Sequence, residues 1–342
     1  MTIRKKKNTI RDVAQLAGVS YQTVSRVING SNNVAEETRK RIVQAMHTLD
    51  YSPSKIAQML TTQRSNTLEL IIVDVVYGGR LADSIKNMAR TARDAGYSLL
   101  VTETSAEGLE TALDNAASRL VDGVVIHAPR LHIADDTLVE LCNGIPFVRR
   151  DYVPGSSLAW IGFDQIVATR LAVEHLITSG HRHIAAIPPT SKILNGHWRH
   201  ITWRNVLLEH GLEPGPSSEG DYSIRSAYEA THTVLATKIP FTALLVGTDT
   251  MALGAMRALR EHGLRIPQDI SVVGFDNAEM SAYTEPPLTT IDFKFAKQDA
   301  MTVKYLIDIL SDPEMELHQR VLMPYLVIRE STQSPNNAGH GE

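Results

Sequence analysis

Thr9-Ile-Arg-Asp-Val-Ala-Gln-Leu-Ala-Gly-Val-Ser-Tyr-Gln-Thr-Val-Ser-Arg-Val-Ile-Asn-Gly30 is the stretch from which the rest of the chain can be read. Thr9 is a good N-cap, and Ile10, Val13, Ala14 and Ala17 recur behind it at helical spacing. Gly18 then stops the helix and Ser20 caps a second one, so two short helices flank a glycine turn, the helix-turn-helix pattern. In the second helix Val24, Val27 and Ile28 form the inward face, which leaves Tyr21, Gln22, Ser25, Arg26 and Asn29 outward. These are base-reading and phosphate-binding side chains: glutamine pairs with adenine through two hydrogen bonds, arginine with guanine, and the N-terminal residues of such a helix reach deepest into the major groove. The alternative for this segment is an ordinary helical hairpin. A third helix is expected over about 36–49, with Thr38, Ile42, Ala45, Met46 and Leu49 facing the other two.

Charge points the same way. Residues 1–64 carry 11 Lys+Arg against 4 Asp+Glu, a balance of +7, while the remainder stands at −11, so the net −4 hides a basic head. Such a head suits sequence-independent phosphate contacts with steep salt dependence. Arg4-Lys-Lys-Lys7 reads equally as part of that surface or as a solvated tail.

Beyond the third helix, Tyr51-Ser-Pro-Ser-Lys-Ile-Ala-Gln-Met-Leu60 places Pro53 at the head of a segment with Ile56, Ala57 and Leu60 at helical spacing. One or two turns are too short to be stable alone in water, so this piece orders only with help. From about Leu68 the pattern changes to apolar runs alternating with amphipathic helices. Candidate strands are 70–76, 98–102, 123–127, 146–149, 160–163, 184–187, 243–247 and 271–275. Continuous Val/Ile runs separated by helix-length segments mean parallel strands buried on both faces, hence doubly wound α/β sheets, and these strands are too many for one. In such sheets ligands sit outside the carboxyl ends of the strands, where Asp151, Asp249 and Asp276 stand. A carboxylate there either faces a ligand or caps a helix, and Asp249 precedes a helix.

Composition bounds the rest. At 342 residues and 43% hydrophobic content, two or three globular units are expected. No apolar run approaches the roughly 20 residues that cross a bilayer, and the N-terminus has no secretory apolar segment, so a soluble cytoplasmic protein, working on the nucleoid, is expected with no membrane partner. Cys142 is the single cysteine, which excludes an intrachain disulfide and a thiolate metal cluster; it reads as a small buried hydrophobe. His181-Arg-His183 and His197-Trp-Arg-His200 lack a further ligand at metal spacing, so no metal and no cofactor is expected. Phosphate-loop, dinucleotide and nucleophile-elbow motifs are missing as well, and an enzyme, for instance a sugar-processing α/β protein fused to DNA-binding helices, would need an acid and a base facing one site, a pair for which Asp151 and Asp276 could be cast.

Tyr21-Gln-Thr-Val-Ser-Arg-Val27, together with Glu174-His-Leu176, Gly220-Asp221, Asp249 to Arg257, Ser271 to Asp276 and Pro286 to Ile291, resembles the lac repressor (LacI/GalR) family of transcription regulators over nearly the whole chain. The resemblance implies a three-helix helix-turn-helix domain at 1–52 and a hinge helix with linker at 53–66. It implies an effector-binding and dimerisation core at 67–334 made of two doubly wound α/β subdomains of the type I periplasmic-binding-protein kind. The N-subdomain takes about 67–163 and 294–322, the C-subdomain about 164–291 and 323–334, and 335–342 reads as a disordered tail.

It also implies that Leu60 wedges into a minor-groove step, with Ala57 where paired hinge helices approach. The expected DNA-binding set is Thr9, Ser20, Tyr21, Gln22, Thr23, Ser25, Arg26, Asn29, Asn33, Tyr51, Ala57, Gln58 and Leu60. In the effector site Asp151, Arg199 and Asp276 match polar sugar contacts and Phe163, Tyr222 and Phe295 apolar walls, with Thr248 and Asp249 beside them. Thr248 stands where the resembled pattern has Asn, Tyr222 where it has Trp, and Ser54 in the hinge where it has Asn. The expected partners are pseudo-palindromic double-stranded operator DNA, a small sugar effector and a second copy of the chain, because one recognition helix reads only a half-site. The residues after Glu330 show no apolar heptads, so a tetramer-forming C-terminal helix is not expected.

Overall fold

The local signals around Gly18 close as their chemistry requires. In the computed structural model, which describes residues 8–28, 33–52, 64–74, 80–130 and 133–335, α1 (Ile10–Ala17), α2 (Tyr21–Ile28) and α3 (Glu36–Thr48) form the head. Thr9 accepts the Asp12 N–H while the Asp12 carboxylate accepts the Thr9 N–H at 2.7 Å, a reciprocal cap. Gly18 ends α1 at φ 66, a left-handed backbone in which a side chain is strained. The Thr23 N–H donates to Ser20 Oγ at 3.2 Å, starting α2. Val13, Ala14, Ala17, Val24, Val27, Ile42 and Ala45 are buried together, with Met46, Leu49 and Tyr51 packed against them.

The chain divides into two compact units, Met1–Thr67 with Leu120–Asp122, and Leu68–Arg119 with Gly123–Glu342. The second holds two sheets. One contains β1 (Thr67–Val73), β2 (Ser98–Thr104), β3 (Gly123–His127), β4 (Phe147–Arg149), β5 (Trp160–Phe163) and β10 (Gln319–Leu322), ordered β10-β5-β4-β3-β1-β2. The other contains β6 (Ile184–Ile187), β7 (Ala243–Val246), β8 (Ser271–Phe275), β9 (Thr289–Asp292) and β11 (Tyr325–Val327), ordered β11-β9-β8-β7-β6. Pairing is parallel from β10 through β1 and from β6 through β9, and antiparallel at β9–β11. Helices α4 (Leu81–Asp94), α5 (Leu109–Ser118), α6 (Asp135–Cys142) and α11 (Phe295–Ser311) belong with the first sheet. The second has α7 (Gln165–Thr178), α8 (Leu194–Glu209), α9 (Ile224–Ala236) and α10 (Asp249–Glu261). The backbone passes from one sheet to the other after β5, after β9 and after β10.

Three strands escape the pattern of apolar runs. Strand β10 is a sheet edge with alternating exposed residues, β11 is half-exposed, and β9 opens with two buried threonines whose hydroxyls find partners in Arg329 O and Asp249. The first apolar run is also longer than its strand: β1 ends at Val73, Asp74 turns away at φ 49, and Val75 and Val76 lie outside the described residues. Near the end of the core Ser331 is fully buried, its carbonyl accepts the Val272 N–H at 2.8 Å, and Gln333 N–H donates to Ser271 Oγ at 3.1 Å. Residues 336–342 lie outside the described residues. Cys142 is buried, and burial pushes its thiol up to about 12. Among the described residues no helix is long and apolar enough to cross a membrane.

Candidate functional site

On α2 the inward face buries Val24 and Val27 and leaves Tyr21, Gln22 and Arg26 exposed, with Tyr21 at 55%. Ser25 and Thr23 are half-buried, and Asn33 is exposed. The hydroxyls of Thr9 and Ser20 are spent on caps. Tyr51 is half-buried where it packs on the head's core, and burial raises its phenol. Asn29, Ala57, Gln58 and Leu60 lie outside the described residues.

The second unit has a cleft at the carboxyl ends of its strands, a cavity of about 170 Å³. Asp74 follows β1, His127 ends β3, Arg150 follows β4 and Asp276 follows β8, while Arg80, Arg199, Tyr222, Thr248 and Phe295 come from the intervening loops and helices. Pro129, Ile193, Asn195 and Thr250 complete much of the wall. Two hydrogen bonds join its two sides, Leu194 N–H to Pro129 O at 3.2 Å and Arg80 Nη1 to the Asp276 carbonyl at 2.7 Å.

Arg199 stands at the centre. Its Nε donates to Gln165 Oε1 at 2.9 Å and its Nη1 to the Gly247 carbonyl. Nη2 lies 3.9 Å from Asp276 Oδ1, and the guanidinium plane covers Phe275 at 4.5 Å. Gly247 is needed there because a Cβ would collide with Pro189. Asp276, at φ 103, is half-buried, and its desolvation raises its pKa against the pull of Arg199 and Arg80. Burial likewise pushes the Tyr222 phenol up to about 12. Phe295 lies under Arg80, whose guanidinium is 4.2 Å from the ring.

Three expected effector contacts stand behind the wall instead. Asp151 accepts from His127 Nδ1 at 2.9 Å and from the Ala128 N–H at 2.7 Å, so its carboxylate faces a neighbouring strand end. Burial works to raise its pKa and is outweighed by His127, by the Ala128 N–H and by Arg149, which hold it below the usual range. Asp249 accepts from Thr290 Oγ1 at 2.6 Å and from the Ala278 N–H at 2.7 Å, and the cap of α10 comes from Thr248, whose hydroxyl accepts the Met251 N–H at 3.1 Å. Burial, and then the charge of Asp276, push Asp249 up to about 7. Phe163 is buried with Phe293 and Phe295 at ring distances of 5.1 and 5.2 Å, one layer behind the cleft.

Sequence reasoning missed Asp74, Arg80, His127, Arg150 and Asn195. The first, third and fourth stand at strand ends, the criterion that selected Asp151 and Asp276. Arg150 is held in a buried pair with Asp299 Oδ1, at 2.9 Å from Nε and 2.7 Å from Nη2. Among the described residues no three His, Cys, Asp or Glu are grouped to hold a metal. His181 is structural, fixed by Thr242, Ser271 and the Gln333 carbonyl, and burial lowers its pKa.

A helix-turn-helix with an exposed reading face, and an α/β unit whose two sheets enclose a polar and aromatic cleft, define the class of ligand-responsive DNA-binding proteins. Residues 9–54 match the family of bacterial regulatory proteins, lacI family, and residues 173–332 match a periplasmic binding protein-like domain. The chain is 35% identical over 331 residues to the lactose operon repressor of Escherichia coli (strain K12), spanning 96% of this chain and 91% of that one. It is 33% identical over 338 residues to the HTH-type transcriptional repressor PurR of Aliivibrio fischeri (strain ATCC 700601 / ES114), spanning 95% and 98%. The crystal structure of the lac repressor dimer bound to operator and the anti-inducer ONPF superposes with a TM-score of 0.86 at 33% identity, over 96% of this chain and 100% of that one. A complex of the transcriptional regulator CelR with cellobiose gives a TM-score of 0.69 at 29% identity, over 95% and 99%. The chain belongs to the lacI family: it is a DNA-binding transcriptional regulator with an effector-binding core.

Proposed function

We propose that the protein is a cytoplasmic, dimeric repressor of a carbohydrate-use operon, whose affinity for a pseudo-palindromic operator changes when a small sugar enters the cleft. The observation that carries the sugar reading is the cleft itself, where Arg199 and Asp276 supply hydrogen-bonding groups beside the apolar surfaces of Tyr222 and Phe295. A saccharide is a ring of hydroxyls with apolar faces and needs both. A galactoside is the first candidate, since the relative named lactose operon repressor matches nearly the whole chain and its recognition helix is the one that Tyr21–Val27 resembles. The proposed function involves no turnover of the ligand. Relatives named PurR favour a second reading, a purine or sugar-phosphate effector in the same cleft.

Thermal-shift screening of mono- and disaccharides, purine bases and sugar phosphates decides between them, because a ligand at about 100 times its Kd adds roughly 2.7 kcal/mol of stability. The stabilising ligand should then change operator affinity in a gel-shift titration. Stabilisation by a purine base and by no sugar would overturn the carbohydrate reading, and conversion of a bound sugar to product would overturn the non-enzymatic one.

A further inference from the structure

The two sides of the cleft belong to different sheets, and one long side chain crosses from the first to the second. We infer that this residue, Arg80, is a clasp: rooted on the first-sheet side and bonded to the second, it holds the cleft closed, and its release opens it. Such opening is a property of the protein alone, whichever effector the cleft takes. Arg80 immediately precedes α4, and its guanidinium lies 4.2 Å from the ring of Phe295, the first residue of α11. Both helices belong with the first sheet. From that footing Nη1 reaches the second-sheet side and donates to the Asp276 carbonyl at 2.7 Å. A guanidinium suits both tasks, since its face packs on an aromatic ring while its edge donates.

The receiving end favours a cation. Asp276 and Asn277, directly after β8, have positive φ in succession, 103 and 48, a turn that costs energy in residues with side chains and persists only where its surroundings fix it. Nη1 meets the carbonyl of that turn, and the charge of Arg80 also pulls down the pKa of Asp249, Asp276 and Asp292, all three on the second-sheet side. Arg199 approaches the Asp276 carboxylate from that same side, tied there to Gln165 and the Gly247 carbonyl, so its attraction does not bridge the cleft. That of Arg80 does. A second crossing involves neither Arg80 nor Asp276: the Leu194 N–H donates to the Pro129 carbonyl at 3.2 Å. Where one hinge motion opens the cleft, both bonds part together, and the Leu194 amide becomes a gauge of the clasp.

The test is hydrogen exchange of the full-length protein with no ligand added, read residue by residue. Arg80→Met, which keeps a stem and removes the guanidinium, should speed exchange of the Leu194 amide by about tenfold, and Arg80→Lys, which restores the charge and a donor, should recover part of the protection. The Val272 amide, bonded to the Ser331 carbonyl within the second-sheet side, should exchange as in the wild type. Entry of a small molecule gives the second reading. Asn195→Cys puts a thiol in the cleft wall, with the buried Cys142 as a silent background, and uncharged N-ethylmaleimide should label it faster once Arg80→Met is added. The sign matters, because loss of a nearby cation by itself would raise the pKa of that thiol and slow the labelling. A side chain that only touches an effector would leave the Leu194 amide unmoved. Unchanged Leu194 exchange, or labelling that is unchanged or slower in Arg80→Met, would overturn the clasp. Faster exchange at Val272 as well would also overturn it, since Arg80 would then support the fold at large.

Discussion

Arg199 ties together Gln165, the Gly247 carbonyl and Asp276 while its guanidinium sits over Phe275, four demands that a planar guanidinium meets and an ammonium does not. Arg199→Lys keeps the charge, yet should weaken effector binding by about tenfold, or ~1.4 kcal/mol, in calorimetric titration; unchanged affinity would remove Arg199 from the site. Asp249 offers a separate test through pH. Its folded pKa is pushed up to about 7 from 3.8, chiefly by burial and then by Asp276. The folded state therefore holds a proton that the unfolded state has released, and its contribution to stability falls as pH rises between those values. Asp249→Asn lacks this titration, so the melting temperature of wild type minus mutant should decline from about pH 5 to about pH 8. A difference independent of pH would show that Asp249 is ionised throughout.

At the scale of elements, α2 owes its position to the cap at Ser20 and to Val24 and Val27, which seat it on the other two helices. Because those anchors lie on one face, Tyr21, Gln22 and Arg26 are turned outward together. On an operator half-site of the kind that lac-type recognition helices read, Arg26→Ala should cost roughly 1–3 kcal/mol, the worth of a bidentate pairing with guanine. Gel-shift titrations on that half-site and on random DNA measure it. An equal loss on both would mean that Arg26 touches phosphate alone. In the core, the relevant elements are the carboxyl ends of two parallel sheets, where side chains from widely separated parts of the sequence line one cleft.

For the whole molecule, a half-site reader of this size needs a second copy for useful affinity and selectivity. Analytical ultracentrifugation should show a dimer that persists without DNA. A monomer or a tetramer would contradict the reading of one two-fold dimer on one pseudo-palindrome. With +7 concentrated in residues 1–64, operator affinity should fall steeply with salt, while sugar affinity, set by an uncharged ligand among paired charges, should change little over the same range. Parallel salt dependence of the two would place the sugar in a cationic site instead.

What the sequence determines by itself is local. The Thr9 and Ser20 caps, the Gly18 stop, the inward stripe of α2 and the Val/Ile runs of β1, β3, β6 and β8 act within one helical turn or one strand, so residue order alone exposes them. The charged head is legible for the same reason, since charge needs no folding to be counted. The cleft is another matter. Asp151 and His127 are 24 residues apart and meet only because β3 and β4 are neighbours in the sheet. That pairing engages the Asp151 carboxylate with an imidazole that itself lines the cavity. Asp249 is drawn under the wall by Thr290 on β9, a strand whose polar opening hides it from any apolar pattern, and Thr248 takes the cap that Asp249 could have supplied. A polar residue at a strand end can turn toward a ligand or toward its neighbour. The choice depends on which strand pairs beside it, and only the tertiary structure supplies that neighbour.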